Sequence, residues 1–332
     1  MYKRQGWWNS VTSADIDNDG DFDLIAHNFG KNTKYKASDQ HPVLLYYGKF
    51  GTEEMRMVEA KFENDQLFPV RGKSWSTNAI PQLAERFSTF HDFALAQLDD
   101  IYTEEEIDET LKFSIIELNS GVFINDGKGS FKFKKLPSLA QLAPGYGIIA
   151  QDFDGDNITD LLLAQNFHWP QVETGRMSGS MSLLLKGNGD ASFDTVWPHE
   201  SGIIVPDDAK SACMTDFNGD SLPDIVISSN DGPVRGFSMT NDKNIKNCVV
   251  SLQGKDHNTQ GIGARIIASY DDGLQITKEI KAGSGYLSQS TTKVFFSMNS
   301  RKIINLKVNW PNGESTNYPI EEEKKNLILK QP

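Results

Sequence analysis

Apolar positions fall in short runs along most of the chain, each bounded by Gly, Asn, Asp or Pro, a pattern that predicts strands rather than long helices. Three polar loops are each flanked by two such runs. Ser10-Val11-Thr12-Ser13-Ala14 and Leu24-Ile25-Ala26 flank the first, and Gly147-Ile148-Ile149-Ala150 and Leu161-Leu162-Leu163-Ala164 the second. Ser211-Ala212-Cys213-Met214 and Ile225-Val226-Ile227-Ser228 flank the third. Further hairpins are expected at Val43–Val58, Gly121–Phe131 and Ser182–Phe193, with Gly-rich turns in the last two. The helical period appears only from Ile80 to Leu98, and Thr103-Glu104-Glu105-Glu106 reads as a capping box. The pattern therefore predicts an all-β chain with a helical insert at about residues 62–118.

Strand-rich units that recur along a chain imply a solenoid or a propeller, and blade-like content favours a propeller. Residues 1–243 hold about four blades. We therefore expect a partial propeller from a longer protein, with Val43–Val58 as a blade corner that carries no metal. Residues 244–332 read as a separate small β-sandwich-like domain. Its runs are Cys248–Leu252, Ala264–Tyr270, Gln275–Ile280, Lys293–Phe296 and Ile303–Trp310, with turns at Asp271-Asp272-Gly273 and Pro311-Asn312-Gly313.

The three polar loops share one spacing. Oxygen-bearing side chains recur at offsets 0, 2, 4 and 8: Asp15, Asp17, Asp19 and Asp23; Asp152, Asp154, Asp156 and Asp160; Asp216, Asn218, Asp220 and Asp224. Ca²⁺ takes six to eight oxygens, and alternate residues of a tight loop can point inward at one ion. The last Asp would close the shell, and backbone carbonyls at offset 6 (Asp21, Ile158, Leu222) would add ligands. Without a cation, such crowded carboxylates repel one another. Gly20, Gly155 and Gly219 suit the sharp turns. An EF-hand is excluded: position 12 is Ala26, Leu163 or Ile227 rather than Glu, and the flanks are strands. We expect up to three structural calcium ions.

Charge sharpens this picture. The chain has 332 residues and carries 33 basic against 45 acidic side chains, a net −12 that is partly concentrated in these loops. Nucleic acid is accordingly not an expected partner. Cys213 and Cys248 are in no metal-ligand spacing, with a buried free thiol the default for Cys213 and a disulfide the alternative. There is no apolar run of membrane-spanning length and no apolar signal core at Met1–Trp8.

Enzyme signatures fail on inspection. Gly72-Lys73-Ser74 lacks the upstream glycine of a phosphate loop, which would fall at Leu67. Gly261-Ile262-Gly263 lacks the third glycine of a dinucleotide loop, which would fall at Ile266, and no helix is expected after it. No nucleophile elbow occurs. His27, His41, His91, His168, His199 and His257 are not clustered, although His168-Trp169-Pro170 could line a binding face. We expect no catalytic residues and no organic cofactor.

The acidic units resemble FG-GAP or VCBS repeats. The tail resembles an ASPIC-type C-terminal domain through Leu252-Gln253-Gly254, Asn258 to Ile266, Gly283 to Gln289 and Val308 to Gly313. The combination is similar to the cartilage acidic protein family and its bacterial relatives, over nearly the whole chain. Phe296-Ser297-Met298 departs from the family's usual Phe-Gly-Leu-Gly stretch. The resemblance implies extracellular, cell-surface or outer-membrane placement, calcium binding, and recognition of a protein or glycan ligand. Two rival readings stay open: a propeller-fold hydrolase or lyase acting on extracellular glycans, and an accessory subunit of an outer-membrane uptake complex.

Overall fold

The computed structural model describes residues 4–240, 244–299, 301–322 and 324–332. Met1, Tyr2 and Lys3 lie outside the described residues, as do residues 241–243 at the expected domain boundary. The chain is predominantly β, with its strands in several small sheets.

Strands β1 (Ser10–Ala14) and β2 (Asp23–His27) pair antiparallel, Thr12 opposite Ile25. The chain then builds an inserted unit. It contains β3 (Val43–Lys49), β4 (Met55–Glu63), β5 (Gln66–Pro69), α1 (Lys73–Ala79), α2 (Leu83–Arg86), α3 (Phe90–Leu95), α4 (Leu98–Ile101), α5 (Glu104–Asp108) and β6 (Leu111–Ile115). Residues Thr33–Leu118 form this unit with Pro170–Gly175 and an N-terminal segment ending at Trp7. Its sheet runs β5-β4-β3-β6.

The Val43–Val58 hairpin forms, with Tyr46 opposite Val58, but in the insert's own sheet rather than at a blade corner. Leu44, Tyr46, Val58 and Ala60 are buried together with Ile80, Leu83, Phe93 and Leu98 of the helical segment, so this sheet has its own core. The first helix of the insert begins at Lys73, and Phe62 still pairs with Leu67 across β4 and β5. The expected helical run from Ile80 to Leu98 breaks into short helices. Pro81 cannot continue a helix from Ile80, and Thr89 caps a new one by accepting from the Asp92 N–H at 3.0 Å. The capping box at Thr103 is present: Thr103 N–H donates to Glu106 Oε2 at 2.8 Å, and Glu106 N–H donates to Thr103 Oγ1 at 3.2 Å.

The second unit holds the rest of the chain. After the insert, β7 (Gly121–Asn125) and β8 (Phe131–Lys135) complete the first sheet in the order β1-β2-β7-β8. The Gly121–Phe131 hairpin thus belongs to the first acidic loop, although more than ninety positions separate Asp23 from Gly121. The next sheet contains β9 (Gly145–Gln151), β10 (Asp160–Gln165), β11 (Leu183–Gly187) and β12 (Phe193–Val196) as a meander, followed by α6 (Pro198–Ser201). The third contains β13 (Ala209–Thr215), β14 (Asp224–Ser229) and β15 (Arg235–Phe237). Each acidic loop joins the first two strands of its sheet. The first strands are neighbours, β9 lying against both β1 and β13. Gly145 is required there: a Cβ would stand 1.9 Å from Nδ1 of the fully buried His27.

The C-terminal segment contains β16 (Asn247–Gln253), β17 (Arg265–Tyr270), β18 (Gln275–Glu279), β19 (Val294–Ser297), β20 (Ile303–Asn309), β21 (Ser315–Pro319) and β22 (Asn326–Lys330). The sheets β19-β16-β22 and β18-β17-β20-β21 share one core, which includes Val250, Phe296, Ile266, Ala268, Leu306, Val308 and Leu329. Alternation along β16 and β19 sends Val249 and Phe295 to the opposite face, where they pack with Ile149, Phe153, Leu162, Met214 and Ile225 of the loop-bearing sheets. The small sheet therefore has two apolar faces and welds the sandwich to those sheets. Cys213 and Cys248 are both free thiols; Cys248 is buried, whereas Cys213 is only half-buried.

Candidate metal centre

The three acidic loops share one backbone. Residues at offsets 3 and 5 are left-handed in each: Asn18 and Gly20, Gly155 and Asn157, Gly219 and Ser221. One of each pair is glycine, which adopts positive φ without strain, and the other is Asn18, Asn157 or Ser221.

The side-chain bonds also repeat. The Asp at offset 0 accepts from the N–H at offset 5: Gly20 to Asp15 at 3.1 Å, Asn157 to Asp152 at 2.9 Å, Ser221 to Asp216 at 3.1 Å. The Asp at offset 4 accepts from the N–H at offset 6: Asp21 to Asp19 at 2.9 Å, Ile158 to Asp156 at 2.8 Å, Leu222 to Asp220 at 2.8 Å.

The Asp at offset 8 has a different task. Asp23 accepts from Ile16 N–H at 3.1 Å and Asn125 N–H at 2.8 Å. Asp160 accepts from Phe153 N–H and Gly187 N–H, both at 2.9 Å. Asp224 accepts from Phe217 N–H and Met239 N–H, both at 3.0 Å. In every loop this carboxylate pins the loop's start to the chain bordering the second strand, one oxygen to each. Asp23, Asp160 and Asp224 are all almost fully buried.

Offsets 0, 2 and 4 converge in the first two loops. Carboxylate oxygens of Asp15, Asp17 and Asp19 lie within 4.8 Å of one another, and so do those of Asp152, Asp154 and Asp156. Two oxygens bound to one Ca²⁺ at about 2.4 Å can be no more than about 4.8 Å apart, so both triads fit a common ion. In the third loop Asn218 turns its amide onto Asp220 Oδ2 at 3.0 Å and onto Ser238 Oγ at 2.9 Å, while Asp216 bonds to the backbone. Asp21 carries its carboxylate toward Gly127, where a Cβ would be 2.3 Å from Oδ2, so its side chain is not part of the triad.

The first loop fits a cation best. Asp15 Oδ1 and Asp17 Oδ1 are buried oxygens with no hydrogen-bond partner among the described residues. Buried oxygens left unpartnered are costly. Burial, and after it the neighbouring Asp19, Asp17 and Asp23, push Asp15 up to about 7, against the opposing pull of the Gly20 N–H. Asp17 is raised by burial and by Asp19. Among the described residues no Lys or Arg forms an ion pair with Asp15, Asp17, Asp19, Asp21 or Asp23.

The second loop is charged differently. Lys186 Nζ lies 2.9 Å from Asp156 Oδ2 and also bonds Asp154 Oδ2. Burial works against the Lys186 charge, but these two carboxylates outweigh it and raise its pKa. Lys278 Nζ is buried and donates to Gln151 Oε1 at 2.8 Å and to Phe295 O at 2.7 Å. Burial brings Lys278 down to about 8, against the attraction of Asp152 and Asp160. Burial raises Asp152, and the Lys278 charge pulls it back.

The C-terminal sandwich also grips the loops. Ser297 Oγ and Asn299 Nδ2 each donate to Gly155 O at 2.9 Å, Tyr270 OH bonds Asn157 Oδ1 at 3.0 Å, and Asn247 Nδ2 donates to Ser221 O at 3.2 Å. Ser297, the departure from the family's glycine-containing stretch, thus has a definite bond. None of these contacts is visible from loop spacing. Lys186 had one sequence signal, a charge closing the apolar run Leu183-Leu184-Leu185. His168 and Trp169 lie apart from this arrangement: Arg176 Nη2 stands 3.0 Å from His168 Nδ1, and Trp169 is exposed.

A model of the family described as ASPIC and UnbV matches residues 254–332. The C-terminal domain is therefore of ASPIC type. Within it, Asn258 clamps the glycine-rich turn, accepting from Ile262 N–H at 2.8 Å and donating to Ile262 O at 2.9 Å. Cartilage acidic protein 1 of Mus musculus is 21% identical over 206 residues, which is 61% of this chain and 31% of that protein. The Homo sapiens protein of the same name is 20% identical over 206 residues, 61% of this chain and 30% of that protein. The matches thus span about a third of the length of these curated relatives. The crystal structure of the V. cholerae biofilm matrix protein Bap1 aligns with 96% of this chain and 63% of that chain at 12% identity, with a TM-score of 0.16, too low to bear on the fold. No helix among the described residues is long and apolar enough to cross a membrane.

Proposed function

We propose that this chain is a calcium-stabilised, non-catalytic recognition or scaffold module of an extracellular or cell-surface protein. Its three loop-bearing sheets are FG-GAP/VCBS-type blades of a partial β-propeller, joined to the ASPIC-type domain. The blade reading draws support from the adjacency of the first strands β1, β9 and β13 and from the common loop backbone. The observation that carries the calcium reading is the pair of buried, unpartnered oxygens on Asp15 and Asp17, within reach of one ion together with Asp19. Asp15, Asp17 and Asp19 would hold the ion, which supplies positive charge and no reaction chemistry. Calcium at all three loops would halve the net −12.

The relatives carry cartilage in their name, and this supports an extracellular setting with a protein or glycan ligand. The non-catalytic reading rests on the acidic side chains being committed to loop structure: Asp23, Asp160 and Asp224 spend both oxygens on backbone N–H groups.

Thermal melts in chelator and in millimolar calcium test the central reading. At calcium about tenfold above a dissociation constant of roughly 10⁻³ M, one site adds about 1.4 kcal/mol. Asp17→Ala should lose most of that response. Melts that coincide with and without calcium would overturn the reading.

A further inference from the structure

The three loops share a backbone but not a charge balance, and one difference lies at a single register position. The third strand pairs with the second so that Phe123 is opposite Leu24, Leu185 opposite Leu161 and Phe237 opposite Ile225. The next residue is then Ile124, Lys186 or Ser238, and the one after it (Asn125, Gly187, Met239) donates its N–H to the Asp at offset 8. Only the second sheet has a basic residue at this position. Lys186 reaches both Asp154 and Asp156, bridging two members of the triad. Lys278 adds a second positive charge, attracted to Asp152 and Asp160. At the first loop that position is apolar, and no basic side chain among the described residues pairs with its acids. At the third loop Ser238 accepts from Asn218, the amide that stands where the other loops have Asp17 or Asp154.

We propose that Lys186 is a resident counter-ion of the second loop, so that of the two converging triads only the first depends on an external divalent cation. An ammonium seated on Asp154 Oδ2 and Asp156 Oδ2 offsets charge at one oxygen of each carboxylate without an ion, and an arriving Ca²⁺ would have to displace it. A structural role of this kind makes the loop's order independent of the calcium level around the protein. The claim about the first loop rests on the calcium reading above; the claim about Lys186 stands without it.

The test uses the full chain and three variants, Lys186→Met, Lys186→Arg and Asp17→Ala. Lys186→Gln takes the place of the methionine variant if that one does not fold. Calcium binding is counted by calorimetric titration, and melting is followed in chelator at low and high salt. The expected result is one additional calcium per chain in Lys186→Met relative to wild type, and the gain survives when Asp17→Ala is added. In chelator, Lys186→Met should melt several degrees lower than wild type, the loss shrinking at high salt and absent in Lys186→Arg.

Equal calcium counts and coincident chelator melts for wild type and Lys186→Met would overturn the proposal. Calcium filling the second loop of wild type, seen as a site lost in Asp154→Ala, would overturn it as well. If no variant binds calcium, the calcium reading fails. Lys186 is then judged on the chelator melts alone: a salt-sensitive loss upholds the counter-ion and no loss removes it.

Discussion

The first and second acidic loops make the same backbone bonds at offsets 4 and 8, but at offset 0 Asp152 accepts from both Gly155 and Asn157 N–H whereas Asp15 accepts from Gly20 N–H alone among the described residues. They differ further in what reaches them from outside. Two lysines supply charge to the second, one from the third strand of its own sheet and one from the ASPIC-type domain. The first keeps two buried carboxylate oxygens without a partner. A local motif therefore fixes the shape of an ion site, whereas its need for the ion depends on residues far away in sequence. The same spacing can serve as a metal site or as a structural loop with a built-in counter-ion.

The largest expected effect tests what the loops share. Asp23→Ala and Asp160→Ala each strip the acceptor from two N–H groups, at a cost of about 1–3 kcal/mol per group left unsatisfied. Each variant should lose about 3 kcal/mol in urea unfolding, by similar amounts in the two loops, and added calcium should not restore it. Full rescue by calcium would show these aspartates to be ligands first and backbone pins second. Close behind stands Gly145→Ala, which forces a methyl group into the His27 ring and should cost about 1–3 kcal/mol by the same measurement. An unchanged midpoint would mean that β9 can shift away from β2.

A smaller effect separates apo from loaded protein by pH. Asp15 titrates near 7 in the folded chain and near 3.8 when unfolded. Between those values the folded state binds the extra proton, so this group's stabilisation is present at low pH and is lost as pH rises through 7. Asp160, raised to about 7 by burial despite the Gly187 and Phe153 N–H groups, acts in the same direction. His27 acts oppositely. Burial holds it down to about 3, so its contribution is present above 6.5 and is lost as pH falls toward 3. From pH 6.5 to 8 the two carboxylates outweigh Lys278, which burial lowers to about 8 and which adds stability only as pH approaches and passes that value, so metal-free protein should become less stable across that interval. Calcium at the first loop should flatten the Asp15 part of the slope. A metal-free urea midpoint that rises over this interval would contradict the geometry of the first loop.

The smallest effect belongs to the third loop. Asn218→Asp removes the amide bonds to Asp220 and Ser238 and adds a charge. Metal-free stability should fall by about 1 kcal/mol, and the calcium response should grow toward that of the first loop. A calcium response identical to wild type would show that spacing alone does not build a site here.

Much of the loop architecture could be read along the chain. The runs around Asp15, Asp152 and Asp216 predicted the flanking strands to within two residues, because alternation and turn residues act over neighbouring positions. The capping box at Thr103 was legible for the same reason. Pairing across the insert was not. Nothing local tells Gly121–Asn125 to return to β2, or Val43–Val58 to take its apolar partners from Ile80, Leu83 and Phe93. The parallel strand β22, beside β16, was not foreseen either, since parallel partners need not be near one another in sequence.

The sequence by itself determined where the acidic loops lie, how their backbones turn and which oxygens can face one another. These follow from the intervals between Asp, Asn and Gly within nine residues. The tertiary structure decided which triad receives a basic partner. Lys186 meets Asp154 and Asp156, and Lys278 comes to Gln151 beside the second loop, only after strands have paired and the sandwich has packed, because an electrostatic partner is chosen by distance in space and not along the chain.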